Sequence, residues 1–175
     1  MASNDKGKEF ERKISKELSK RFISETGVDN AFMRNHSGSG AFFGGKNSHR
    51  ANGVSDKDLN TGDIVTPLNF KYTVECKHYK TAPSIKGIMD GKVAQWDGWI
   101  SQSMDDSKTS GKEAIVIMKY NLVSEMLMVS ANNKDFSDNH TPIMVFKSKD
   151  HGIWNIYNFN QVLKESNNSA WFNVN

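Results

Sequence analysis

The stretch "AIVIMKY", residues 114–120, constrains the fold more than any other part of the sequence. It is a nearly continuous apolar run, so an extended chain would present apolar side chains on both of its faces. Such a strand is typical of the centre of a sheet that is covered on both sides. The run therefore predicts a central strand with other elements packed against each face.

Two segments have the period of amphipathic helices. From Lys8 to about Ser24, apolar residues recur every four positions, and Lys92 to Met104 places Val93, Trp96 and Ile100 on one face. Further strands are predicted at 63–67, 70–79, 125–130, 142–148 and 153–159, with a short closing helix near 161–165. The order of helix, strands, helix and strands predicts an α/β fold, a mixed central β-sheet flanked by helices.

Bulk composition narrows the class of protein. The 175 residues fit one domain of ordinary size, and a single cysteine excludes an internal disulfide framework. No window is apolar enough for a membrane span and the first residues lack a signal-peptide core, so we expect a cytoplasmic protein. Residues 1–90 carry 15 Lys and Arg against 11 Asp and Glu, whereas residues 91–175 carry 8 against 9. The basic excess of the first half favours a polyanionic partner.

Strand 70–79 carries the charged groups most suited to chemistry. Side chains alternate along a strand, so Glu75 and Lys77 share one face while Val74 and Cys76 share the other. Asp63 begins the preceding strand, and pairing of the two strands would bring both carboxylates together. Two neighbouring carboxylates repel unless a proton or cation lies between them, and oxygen ligands favour Mg²⁺. The alternative is a surface ion pair contributing under ~1 kcal/mol.

Four motifs in order resemble a known family: "KGKEFER" (6–12), "RNHSGSG" (34–40), "GDI" (62–64) and "ECK" (75–77). Together they resemble the PD-(D/E)XK nuclease superfamily, and in particular the Holliday-junction resolvases of archaea and phages. The resemblance implies a restriction-endonuclease-like core. We therefore expect residues 1–175 to form a single nuclease domain, with a catalytic core at 6–120 and additional strands and a C-terminal helix at 121–175.

The resemblance also implies the site residues. Asp63 and Glu75 would be metal ligands, Glu11 would be a metal-site or water-orienting carboxylate, and Lys77 would be the catalytic lysine. The expected DNA contacts are Arg12, Arg34, Ser39, Lys80 and Gln102. Gln95 is the alternative to Gln102, and Ser39 is equally well explained as a turn residue.

Two features depart from the family pattern. Gly62 replaces the usual proline before the aspartate, and the long loop before Asp63 contains Asp56 and Asp58. Either of these could be mistaken for the ligand, but Asp63 alone leads directly into an apolar strand.

The resulting hypothesis is a Mg²⁺-dependent DNA endonuclease, with Mn²⁺ as a substitute cofactor. A Holliday-junction resolvase would act on four-way or other branched DNA, and its paired cuts favour a homodimer. Two alternatives remain: a restriction- or repair-type nuclease acting on linear duplex, and a non-catalytic nucleic-acid-binding domain that retains the fold. Asparagine and lysine usage, together with the compact size, suggests a phage protein.

Overall fold

The computed structural model describes residues 3–35 and 61–173. In these ranges the helices are α1 (Ser3–Arg21), α2 (Ile23–Thr26), α3 (Ile85–Met89), α4 (Ala94–Ser110), α5 (Lys134–Ser137) and α6 (Phe159–Glu165), with a 3₁₀ turn at Asn168–Ala170. The strands are β1 (Met33–Arg34), β2 (Ile64–Val65), β3 (Tyr72–Tyr79), β4 (Glu113–Tyr120), β5 (Met126–Ser130), β6 (Met144–Ser148) and β7 (Gly152–Asn158).

The seven described strands form one sheet in the order β1-β2-β3-β4-β5-β7-β6. Strands β3 and β4 are parallel, whereas the other neighbours are antiparallel. The strands after residue 120 therefore continue the same sheet. This mixed sheet with helices confirms the predicted α/β class and is consistent with a restriction-endonuclease-like core.

Strand β4 has the central position that its sequence predicts. Ile115 and Ile117 belong to the apolar cluster on one face of the sheet, and Val116 and Met118 belong to the cluster on the other face. All four side chains are fully buried. The continuous apolar run is thus explained by burial on both sides.

Helices α1 and α4 cover opposite faces of the sheet. The predicted apolar stripe lies in one core cluster, while Trp96, Trp99 and Ile100 of α4 lie in the other. The stripe consists of Phe10, Ile14 and Leu18 on α1 and Phe22 directly after it. Because side chains alternate along β3, Tyr72, Val74 and Cys76 contact the α1 side. Thr73, Glu75 and Lys77 therefore point towards α4, and this places the charged face of β3 beneath a helix.

The helix boundaries differ from those predicted. Helix α1 runs from Ser3 to Arg21, earlier than the predicted span, and α4 continues to Ser110 rather than ending near Met104. Gly111 ends α4 with a φ of 77°, and its N–H donates to Ser107 O. Short helices α3 and α5 were not predicted, because four or five residues are too few to show a period. No helix in the described residues is long and apolar enough to span a bilayer.

Candidate active site

Asp63 directly precedes β2, and both its backbone and its side chain are hydrogen-bonded to β3. Ile64 aligns with Val74, and the Asp63 N–H donates to Val74 O at 2.8 Å. The Asp63 carboxylate accepts a hydrogen bond of 2.9 Å from the Cys76 N–H. These two bonds bracket Glu75 on β3, so the predicted convergence of Asp63 with Glu75 is present in the structure.

The residue before Asp63 has a backbone that only glycine adopts readily. Gly62 has a φ of 65°, and a Cβ at this position would lie 2.8 Å from both Thr73 Oγ1 and Val74 O. Proline is restricted to φ near −65° and cannot take this conformation. The absence of the usual proline is therefore a requirement of this turn, which brings the aspartate close against β3.

Glu75 is a buried carboxylate with one oxygen left without a donor. Its side chain is 1% exposed, and Oε1 accepts a hydrogen bond from Lys77 Nζ. Oε2 is buried and receives no hydrogen bond from the described residues. Burial, followed by the neighbouring Asp63 carboxylate, raises the pKa of Glu75 to about 8 despite the lysine. Without a cation, the two carboxylates can approach only by holding a proton.

Lys77 lies between the carboxylates and α4. Its Nζ contacts Glu75 and donates to Gln102 Oε1 at 3.2 Å. Burial alone would lower the pKa of Lys77, but the charges of Glu75 and Asp63 outweigh burial and raise it. Gln102, predicted as a DNA contact, holds the lysine in place in this structure, whereas Gln95 accepts from Tyr120.

Glu11 approaches the site from the α1 side. It forms an ion pair with Arg34, in which both side chains are largely buried. The two residues line a cleft of about 270 Å³ that also contains Lys77, Cys76 and His78. The structure thus places Glu11 and Lys77 on one cleft, with Glu11 already engaged by an arginine.

Asp106 is a fourth acidic residue near the site, and the sequence analysis did not single it out. It lies one helical turn after Gln102 on α4. Burial and the charge of Asp63 raise the pKa of Asp106, while the Gly62 N–H and Lys77 favour its charged form. The i, i+4 spacing from Gln102 was the signal that could have identified it.

The remaining predicted contacts lie further from the carboxylates or outside the described ranges. Arg12 is exposed on α1, and Lys80 is exposed directly after β3. Ser39, Asp56 and Asp58 lie outside the described residues. His78 packs its ring 5.6 Å from that of Phe10 on the α1 face, as its position in the strand predicts.

The donors present fit a hard divalent cation held partly by solvent. Asp63 and Glu75 supply carboxylate oxygens, and Glu75 Oε2 is buried without a donor to stabilise its charge. Within residues 3–35 and 61–173, no group of three or more His, Cys, Asp or Glu side chains is arranged to hold a metal ion. Mg²⁺ commonly binds through one or two carboxylates and completes its shell with water and substrate phosphate. Two carboxylates match that pattern.

Comparison with known proteins identifies the family. No curated protein and no solved structure matches the chain. The family described as "Phage putative PDDEXK endonuclease" matches residues 2–169, nearly the whole sequence. Members of the PD-(D/E)XK superfamily are nucleases that generally use divalent metals. The chain therefore belongs to the phage PDDEXK endonuclease family.

Proposed function

We propose that this protein is a divalent-metal-dependent DNA endonuclease, most active on branched substrates such as four-way junctions. The observation that carries the proposal is the buried, undonated Oε2 of Glu75 beside Asp63. A carboxylate pair of this kind needs a proton or a cation, and a nuclease family supplies the reason for a cation. Mg²⁺ would be the physiological ion and Mn²⁺ a substitute. In a phage family, the place of action would be the host cytoplasm.

Asp63 and Glu75 would hold the ion, with Glu11 orienting water from the α1 side. When bound, a divalent cation lowers the pKa of a water molecule and withdraws charge from the phosphoryl group. The water oxygen would bond to phosphorus and the bond to the 3′-oxygen would break, leaving a 5′-phosphate and a 3′-hydroxyl.

Lys77 would stabilise the charge that develops on the phosphoryl oxygens. The charges of Glu75 and Asp63 raise its pKa, and an ammonium beside the phosphoryl group would act as a fixed positive charge. The alternative role is to help deprotonate the attacking water. Gln102 limits the movement of Lys77 through the 3.2 Å contact. Arg12, Arg34 and Lys80, with Ser39 from the loop outside the described residues, would contact the DNA backbone.

The direct test compares Mg²⁺ with EDTA on matched substrates. A four-way junction, a flap and a linear duplex of the same sequence would be incubated with the native protein and with Lys77→Ala. We expect Mg²⁺-dependent cutting, fastest on the junction, and none by the variant. Equal cutting of all three substrates would favour the linear-duplex alternative. Metal-free DNA binding with no cutting under any metal would favour the non-catalytic alternative.

A symmetric junction requires two cuts, so we propose a homodimer as the active species. Sedimentation at micromolar concentration, with and without junction DNA, tests this directly. We expect two chains of 19.7 kDa in the complex, in addition to the mass of the junction DNA. One chain of 19.7 kDa both free and bound to the junction would remove the paired-cut arrangement while leaving the nuclease assignment intact.

A further inference from the structure

Two apolar projections lie in the segments that follow β3 and β4, and packing among the described residues does not account for their exposure. We propose that Ile85 and Met89 on α3, with Leu122 in the turn after β4, contact unstacked bases where DNA strands branch. This assignment rests on the proposed function and adds to it a surface that recognises DNA structure. The projections would select the substrate, and the carboxylates would cut it.

Both projections are in segments that follow the carboxyl ends of neighbouring strands. Strands β3 and β4 are parallel neighbours, and Tyr79 aligns with Tyr120 at their carboxyl ends. The segment that contains α3 follows β3, and the turn that contains Leu122 follows β4. Lys77 lies two residues before the end of β3. Both segments therefore begin at strand ends that lie two residues beyond Lys77 in the register of the sheet.

Helix α3 is anchored in a way that turns its apolar residues outward. Ile88 packs against the core cluster beneath α4, and Ser84 accepts a hydrogen bond from the Gly87 N–H at the start of the helix. Ile85 and Met89, four positions apart, remain 77% and 81% exposed. A core-facing helix would bury such residues, so packing among the described residues does not account for the exposed pair.

Leu122 combines full exposure with backbone strain. Its side chain is 106% exposed, and its φ of 63° lies in the left-handed region. It is the only residue other than glycine with a positive φ in the described ranges. Glycine or asparagine would suit this turn better. Strain of this kind is characteristic of functional sites, and leucine at this position contributes no packing to the fold.

The surroundings favour nucleic acid over a second protein chain as the partner. Lys80 and Lys92 are exposed in the segment that contains α3, and exposed Lys86 pairs with Asp90, the single acidic residue of that segment. Exposed Lys8 lines the cleft that Tyr79 at the end of β3 also lines. A positive surface is complementary to a phosphate backbone. A stable protein interface buries roughly 800 Å² on each partner, which is more than three isolated side chains can supply.

Branched DNA provides the apolar surface that these side chains lack. Proteins that distort DNA insert Leu, Ile or Met between base steps, and the unstacking costs a few kcal/mol. The cost is lowest where stacking is already interrupted, as it is at a junction centre. Apolar projections beside a cutting site would therefore bind a branch point more tightly than a continuous duplex.

The test measures base unstacking and affinity in EDTA, so that cleavage is not required. A four-way junction and a matched linear duplex would carry 2-aminopurine at the branch position. The variants are Ile85→Ser with Met89→Ser, and separately Leu122→Gly. The control is Ile143→Ser with Val145→Ser, because these side chains are 59% and 54% exposed at the far edge of the sheet.

We expect the native protein and the control to increase 2-aminopurine fluorescence on the junction and not on the duplex. Each test variant should reduce this signal and weaken junction affinity about tenfold, with duplex affinity unchanged. Leu122→Gly should leave the unfolding temperature unchanged or raised, because glycine relieves the strained backbone. The loss of junction binding would then not be attributable to misfolding.

Three outcomes would overturn the proposal. Unchanged junction fluorescence and affinity in both variants would show that the side chains do not contact bases. An equal loss on junction and duplex would indicate a general contact without structure selectivity. A difference in sedimentation mass between the native protein and the variants, measured without DNA, would assign the surface to contact with a second copy of the chain. Failure of the proposed nuclease function would be seen separately, because the native protein would then show no Mg²⁺-dependent cutting.

Discussion

Two buried glutamates, Glu75 and Glu125, have nearly the same solvent exposure, but their pKa values are shifted in opposite directions. Their residues are 1% and 4% exposed, and each carboxylate is bonded to a lysine. Burial raises the pKa of Glu75 to about 8, with Asp63 adding to the effect. Burial also opposes the charge of Glu125, but hydrogen bonds from Lys119 and Lys13 hold its pKa at about 2.

The difference lies in how deeply each carboxylate is set in the protein and in the number of donors that it receives. Glu125 Oε1 accepts from Lys119 at 2.7 Å and from Lys13, and its Oε2 accepts from Asn160 at 3.1 Å. Glu75 has one lysine and a second carboxylate, and its Oε2 has no donor in the described residues. Every oxygen of the Glu125 carboxylate thus has a donor, as expected for a structural ion pair. Glu75 and Asp63 together have only the charge of Lys77 to oppose their two negative charges, and a divalent cation would balance the excess.

The largest expected contrast between the two glutamates is in cleavage. Glu75→Gln and Lys77→Ala should each reduce Mg²⁺-dependent cutting by at least about 100-fold, because they remove charge from the reacting phosphoryl group or its cation. Glu125→Gln should cut within a few-fold of the native rate at a temperature where it is folded. Initial rates on a four-way junction measure this. Equal losses in Glu75→Gln and Glu125→Gln would erase the proposed distinction.

The second contrast is in stability. Glu125→Gln should lower the free energy of unfolding by about 2 kcal/mol at neutral pH, because Lys119 loses the Glu125 charge and Lys13 keeps only Glu17. Both lysine side chains are partly exposed, so solvent offsets part of the loss. Urea unfolding of both variants provides the measurement. In metal-free buffer at pH 8, Glu75→Gln should be at least as stable as the native protein. Marked destabilisation by Glu75→Gln would show that Glu75 is structural.

The third contrast is in the pH dependence of stability, which should have opposite signs. The raised pKa of Glu75 makes the folded, metal-free protein hold a proton that the unfolded chain releases, so stability falls as pH rises from about 4.5 to about 8. The lowered pKa of Glu125 gives a contribution that is lost as pH falls from about 4.5 to about 2. In EDTA, the free energy of unfolding should decrease between pH 5 and pH 8 by about 2 kcal/mol less in Glu75→Gln than in the native protein. An unchanged slope would contradict the raised pKa.

The smallest expected effect concerns Asp106, whose charge lies near Asp63. Asp106→Asn keeps an acceptor oxygen for the Gly62 N–H and removes the negative charge. We expect the Mg²⁺ concentration for half-maximal cutting to rise about threefold, as for a single charge separated by partly solvated protein. Asp105→Asn is the matched control, since Asp105 is exposed and pairs with Lys108. Identical shifts in both variants would reduce the effect to net charge alone.

Sequence reasoning predicted the features that depend on local pattern. The central position of β4, the amphipathic α1 and the pairing of "DIVTP" with "FKYTVECKHY" follow from periodicity and turn residues. Asp63, Glu75 and Lys77 were identified because strand alternation and adjacent strands fix their placement. The family comparison supports the superfamily resemblance, while the resolvase subtype and the role of each site residue remain proposals.

The features that were missed depend on contacts distant in sequence. Glu125 could not be distinguished from an ordinary surface acid, because Lys13 lies 112 positions away. Gln102 was predicted as a DNA contact, and its contact with Lys77 appears only when α4 packs over β3. The requirement for glycine at position 62 depends on Thr73 and Val74 of the next strand. Periodicity carries no information about such pairs.

Metal binding in the absence of DNA tests the central claim most directly. Calorimetric titration of Mg²⁺ and Mn²⁺ would be performed on the native protein, Glu75→Gln and Glu125→Gln, with thermal unfolding followed in parallel. We predict one binding process, accompanied by proton release near pH 7 and a raised unfolding temperature, in the native protein and Glu125→Gln but not in Glu75→Gln. Equal binding by Glu75→Gln and the native protein would contradict the account.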